Sequence, residues 1–160
     1  MCDFDKVALD SNLINDCSPS TEELDLDWEG ILINMPATID DVVVGNDGVL
    51  SSKTRIPLCI TVQAKLKKMI RYDYPRDGVS VFMEDRQTGR IYSNRLIYQG
   101  ARVENPKGSA SEEELENSIL TKFYSVNLTH YLKLPNTKTT YHVYTTFADY
   151  QSNSQELTVS

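Results

Sequence analysis

Apolar and polar residues alternate with a period of two along much of this chain, and that period predicts strands. Ile31, Ile33 and Met35 alternate with polar or solvent-facing positions until Pro36 stops the run. Ile60, Val62, Ala64 and Leu66 share one face, while Thr61, Gln63, Lys65 and Lys67 share the other. Residues 78–84 and 90–98 predict a hairpin, because Asp85-Arg86-Gln87-Thr88-Gly89 between them has turn chemistry and hairpin length. Tyr124, Val126 and Leu128 alternate again, as do Tyr141, Val143, Thr145 and Phe147. A last short strand with Leu157 and Val159 follows the polar loop 151–154. One helix signal stands out: Ser111-Glu112-Glu113-Glu114 is a capping box, and the segment to Ser118 predicts a turn or two of helix within a long loop.

About seven strands without long intervening helices predict an all-β fold, a mostly antiparallel two-sheet sandwich. The domain is expected over 28–160. Residues 1–27 hold scattered apolar residues in no sustained period, with a breaker cluster at Ser18-Pro19-Ser20-Thr21, and read as a mobile acidic tail.

The 160 residues suit one domain, and 40% hydrophobic with 24% charged content excludes an intrinsically disordered chain. No apolar stretch approaches the ~18 residues of a membrane-spanning helix, so a soluble protein is expected. Charge is unevenly spread. Residues 1–52 hold twelve acids and one base, residues 53–107 twelve bases and five acids, and residues 108–160 three bases and six acids. The cysteines Cys2, Cys17 and Cys59 match no zinc or redox spacing. With no apolar leader after Met1, the expectation is a reduced cytoplasmic protein with Cys59 in its core. The alternative is an exported protein, if a signal was removed before Cys2.

The stretch Leu132-Lys133-Leu134-Pro135-Asn136-Thr137-Lys138-Thr139-Thr140-Tyr141-His142-Val143 resembles the approach to the penultimate strand of fibronectin type III-like and other immunoglobulin-like domains. The resemblance implies an immunoglobulin-like sandwich in which Tyr141 forms a corner, its hydroxyl bonded back to upstream backbone. The Cys-Trp-Cys framework is missing, since Trp28 precedes Cys59 and no cysteine follows it. The resemblance implies no function, because this architecture hosts many.

The candidate chemistry is thin. His130 and His142 are the two possible bases for a nucleophile, and no Gly-x-Ser-x-Gly elbow accompanies them. Twenty-three acids make carboxylate pairs by chance, so a hydrolase has no particular support. Asp40, Asp41 and Asp47 are weak calcium candidates, although Asn46-Asp47-Gly48 is first a turn signal. Asn127-Leu128-Thr129 is a glycosylation sequon inside a predicted strand, read as chance. No cofactor motif is present.

Lys65, Lys67, Lys68 and Arg71 cluster next to Tyr72 and Tyr74. Such interleaving can grip phosphates, yet a pI near 4.8 argues against nucleic acid. All nine tyrosines follow residue 71, and Tyr72, Tyr74 and Tyr150 fall in predicted loops, where tyrosine favours contact surfaces. The chain therefore reads as a non-enzymatic, protein-binding module using Tyr72, Tyr74 and Arg76, with Lys67, Lys68 and Arg71 steering an acidic partner. The alternatives are a self-assembling subunit using its acidic arm, and a calcium- or carbohydrate-binding domain.

Overall fold

The computed structural model describes residues 2–19, 28–72, 75–97 and 111–160. The described strands are β1 (Gly30–Asn34), β2 (Thr38–Ile39), β3 (Pro57–Lys65), β4 (Val79–Asp85), β5 (Ile91–Arg95), β6 (Ile119–Asn127), β7 (Thr139–Phe147), β8 (Tyr150–Gln151) and β9 (Gln155–Val159). Two short helices join them, α1 (Leu66–Met69) and α2 (Glu112–Asn117). Strands β1, β3 and β6 form one sheet in that order. The other runs β2-β9-β7-β4-β5, with β8 also paired to β7. All pairings are antiparallel except β2 with β9.

The two sheets bury one continuous core. Leu58, Ile60, Val62 and Ala64 of β3 belong to it, as do Val79, Val81 and Met83 of β4 and Tyr141, Val143 and Phe147 of β7. On β7 the predicted alternation holds residue by residue: Thr139, Tyr141, Val143, Thr145 and Phe147 are buried and the residues between them are partly exposed. The hairpin and the short helix also form where expected. The Ser111 hydroxyl accepts from the Glu114 amide, which caps α2. Gly89 takes φ +75° in the hairpin turn, a conformation that a side chain disfavours.

Asp85 closes that same hairpin. Its Oδ1 accepts from the Gln87 amide at 2.8 Å and from the Thr139 hydroxyl at 2.7 Å. The Thr139 bond, followed by the backbone donors, holds its carboxyl below the ordinary aspartate value. A carboxyl depressed by folding adds stability above its unfolded value and loses it as pH falls through its lower folded value. Acid titration monitored by thermal unfolding is therefore expected to show a stability loss below about pH 4. That loss is reduced in Asp85→Asn; an identical acid profile for the two proteins contradicts it.

Strand β3 departs from the simple alternation. Its residue types alternate, but both of its faces are buried through Ala64. The outer face carries Cys59, Thr61 and Gln63; residues 2–19, expected to be a mobile tail, lie across Cys59 and Thr61, while Gln63 donates to the Trp28 carbonyl at 2.8 Å. Ser11 bridges Ser125 at the edge of β6, and the Thr61 hydroxyl donates to the Pro19 carbonyl at 2.9 Å. The Arg55 guanidinium donates to the carbonyls of Phe4 and Val7. Cys2 and Cys17 are joined in a disulfide, so these two are not the free thiols expected of a reduced chain; Cys59 remains a buried thiol. Residues 20–27 of the expected tail lie outside the described residues.

Side chains close the edge of β1. Asn153 pairs with Ile33 as a strand would, accepting from its amide at 2.8 Å and donating to its carbonyl at 3.1 Å. Gln155 accepts from the Met35 amide at 2.9 Å. These bonds satisfy backbone groups that an edge strand otherwise leaves open. Tyr141 is buried on β7, as the resemblance implies, and burial pushes its hydroxyl up to about 12. That hydroxyl has no backbone acceptor within hydrogen-bond distance, so the expected corner bond is not formed; the Thr137 side chain upstream pulls its value down a little.

Candidate functional site

The basic cluster sits at one end of the sandwich, where β3 finishes. The alternation predicted through Leu66 stops at Lys65, and the chain turns into α1. One helical turn places Leu66 and Met69 on the same side, and Met69 is buried beneath. Lys67 and Lys68 are thereby left toward the surface. The Leu66 amide donates to the Ser118 carbonyl at 2.8 Å, tying α1 to the end of α2.

Each lysine meets an acid from elsewhere in the chain. Lys67 pairs with Glu116 of α2 at 3.1 Å. Lys68 lies 3.5 Å from Asp149 and bonds the Tyr150 hydroxyl, with its ammonium 4.4 Å from the centre of that ring. The Tyr150 hydroxyl is the main cause that raises the Lys68 ammonium above the ordinary lysine value. Asp149 and Tyr150 are presented by a tight turn in which Ala148 takes φ 52°, a left-handed conformation that costs about 1 kcal/mol or more in a residue with a side chain. Arg71, two residues after α1, is exposed.

Tyr72 is half-buried and leans on Phe147, with ring centres 5.9 Å apart. Gly78 makes room for it: a Cβ there would stand 2.5 Å from the Tyr72 ring. Arg76, expected on a contact loop, is buried at 6% exposure. Its Nε donates to the Leu96 carbonyl at 3.2 Å, and its guanidinium bonds the Tyr131 hydroxyl. Arg76 thus ties the loop to Leu96 and Tyr131 and does not stand at its tip. Tyr74 lies outside the described residues. Sequence reasoning missed Glu116 and Asp149, and noticed Tyr150 only as a loop tyrosine. The nearby acids of 112–116 carried no signal that one of them meets Lys67.

At the opposite end a cleft of about 280 Å³ is lined by Phe4, Asp5, Ile39, Asp40, Asp41 and Arg55, among others. The Asp40 carboxylate accepts from the Ser160 hydroxyl at 2.6 Å. Asp47 is not part of that lining. Among the described residues, no three His, Cys, Asp or Glu side chains gather so as to hold a metal ion. His130 pairs with Asp10 at 3.2 Å, and His142 lies 3.4 Å from the Arg86 guanidinium. No helix among the described residues is long and apolar enough to cross a membrane.

Comparison with protein families, curated proteins and solved structures found no match to this chain.

Proposed function

We propose that this chain is a non-enzymatic interaction module that binds an acidic segment of a protein partner through the end of the sandwich formed by Lys67, Lys68, Arg71, Tyr72 and Tyr150. The observation that carries the reading is that Lys67, Lys68 and Tyr72 from one segment and Tyr150 from another converge there, with Glu116 of α2 alongside. Tyrosine and arginine give large contact area and directed hydrogen bonds, which suits partner surfaces. The ion pairs already present do not block the site. Glu116 and Asp149 have side chains 59% and 78% exposed, so their pairs with lysine contribute about 0–1 kcal/mol and exchange readily for a partner's carboxylates. The left-handed Ala148 beside Asp149 is the kind of local strain that clusters at functional sites.

The finer fold assignment belongs to the same proposal. We read β1, β3 and β6 as strands A, B and E of an immunoglobulin-like domain, and β4, β5, β7 and β9 as C, C′, F and G. The strand order and the place of Tyr141 on β7 support this. The Cys2–Cys17 bond fits an oxidising compartment better than a reducing one, so we favour the exported reading over the cytoplasmic one.

The test uses a glutamate-rich peptide as probe. Lys67→Glu with Arg71→Glu is expected to weaken its binding by about tenfold or more, and raising the salt from low to physiological should weaken the native complex as well. The melting temperature should stay within a few degrees, because both side chains are at the surface. Equal affinity in the native protein and the double variant rejects the site.

A further inference from the structure

All three cysteines of the chain meet on the outer face of β3. Val7, Cys17 and Cys59 form a buried cluster, with Cys2, Phe4 and Leu9 packed around it. Cys59 is fully buried, and its thiol touches only internal partners such as the Ser125 hydroxyl at 3.6 Å. The cover over it is residues 2–19, closed on itself by the Cys2–Cys17 bond.

We propose that Cys59 is a reactive-thiol site gated by the Cys2–Cys17 disulfide: breaking that bond releases residues 2–19 from the sheet and opens Cys59 to soft electrophiles and small disulfides.

The reasoning rests on how little else holds the cover. Two of its apolar side chains, Leu13 and Ile14, point away at 72% and 66% exposed, and Phe4 and Leu9 are only partly buried against the cluster. Val7 and Cys17 are its buried apolar anchors in that cluster. What remains are polar contacts: the Ser11–Ser125 bridge, Asn15 to the Ser125 hydroxyl at 2.9 Å, Asn34 to the Cys17 carbonyl at 3.0 Å, Thr61 to the Pro19 carbonyl at 2.9 Å, the His130–Asp10 pair at 3.2 Å, and the Arg55 bonds to Phe4 and Val7. Hydrogen bonds exchanged with water contribute modest net stability each, the charged Arg55 bonds more than the neutral ones, and ordering a segment of this length opposes them. The disulfide shifts the balance by removing much of the segment's freedom before it docks. Cys59 itself stays in place when the cover leaves, since β3 is the central strand of its sheet. Burial raises the Cys59 thiol above its ordinary value while the cover is on.

The chemistry balances. A dithiol reductant passes two electrons and two protons to the Cys2–Cys17 bond; that bond breaks into two thiols while the reductant closes to its own disulfide. The exposed Cys59 thiolate then attacks an alkylating agent or a small disulfide. A sulfur–carbon bond or a mixed disulfide forms, and iodide or a small thiolate leaves.

The native protein is treated with iodoacetamide with and without prior dithiothreitol, and labelled cysteines are located by peptide mass mapping. Near-UV circular dichroism follows the tertiary packing of the sandwich. The double variant Cys2→Ser with Cys17→Ser is treated without reductant. Cys59 is expected to be inert in the oxidised protein and to label at least about a hundredfold faster after reduction and in the double variant, with the near-UV signal of the sandwich kept. Cys59 staying unlabelled in both, or labelling only in step with loss of that signal, overturns the proposal.

Discussion

Phe147→Ala is expected to be the most damaging single substitution among those considered, at about 3–5 kcal/mol. Phe147 is fully buried and closes the end of β7, opposite Val79 on one side and Tyr150 on the other. Truncation removes a large apolar side chain and leaves a cavity where two neighbouring strands hold the walls apart. It also takes away the ring on which Tyr72 leans. Urea unfolding should show the lower midpoint, and Phe147→Leu, which keeps part of the volume, should lose less. The acidic-peptide affinity should fall with Phe147→Ala although no charge has changed. A loss below about 1 kcal/mol would mean that the site collapses freely and that this end of the core is not packed as described.

Asn127→Ala comes second, at about 2–4 kcal/mol. Asn127 is 6% exposed and bonds three residues at once. Its Oδ1 accepts from the Ile56 amide at 3.0 Å and from the Thr129 hydroxyl at 3.0 Å, and its Nδ2 donates to the Thr54 carbonyl at 3.0 Å. Alanine leaves the Ile56 amide and the Thr54 carbonyl without this partner where water has little access. Asn127→Asp keeps the shape but loses the donor and brings in a charge, so it should fare no better. Urea midpoints for the two variants decide the matter, and a loss under about 0.5 kcal/mol in both contradicts the role. The same geometry bears on the sequon at 127–129. The amide nitrogen that would carry a glycan is the one buried against Thr54, so the folded chain offers no acceptor there.

The β-rich class was legible because period-two alternation and burial coincide. On β7 each apolar residue of the pattern faces the core, and a sequence with that period can hardly fold otherwise. On β3 the residue types were read correctly and the environment was not. Thr61 and Gln63 look like solvent-facing residues, yet Pro19 and Trp28, 42 and 35 positions away, bond them there. No local pattern encodes a contact of that range, and three cysteines leave their pairing open. Strand β2 escaped notice because two residues have no period, and its parallel pairing to β9 joins residues 38–39 to residues 158–159. Leu66 continued the strand alternation, but Leu66 and Met69 also fit one turn of helix, and short apolar patterns serve both.

The site was partly legible for similar reasons. Lys67, Lys68 and Arg71 read as a surface cluster because charged residues are seldom buried. Arg76 broke that rule. Its long side chain reaches inward to the Leu96 carbonyl and to Tyr131, and composition gives no sign of which way an arginine turns. The acids that face the lysines, Glu116 and Asp149, arrive from α2 and from the turn after β7, so only the folded arrangement could name them.

An NMR titration of the native protein with a glutamate-rich peptide at low salt, read in amide proton–nitrogen spectra, tests the binding end of the sandwich. Shifts are expected to concentrate at residues 66–72 and 148–151 and to be abolished by high salt and by Lys67→Glu with Arg71→Glu. Shifts centred on the opposite end, around Asp40 and Arg55, or an unchanged spectrum at saturating peptide, would contradict that placement.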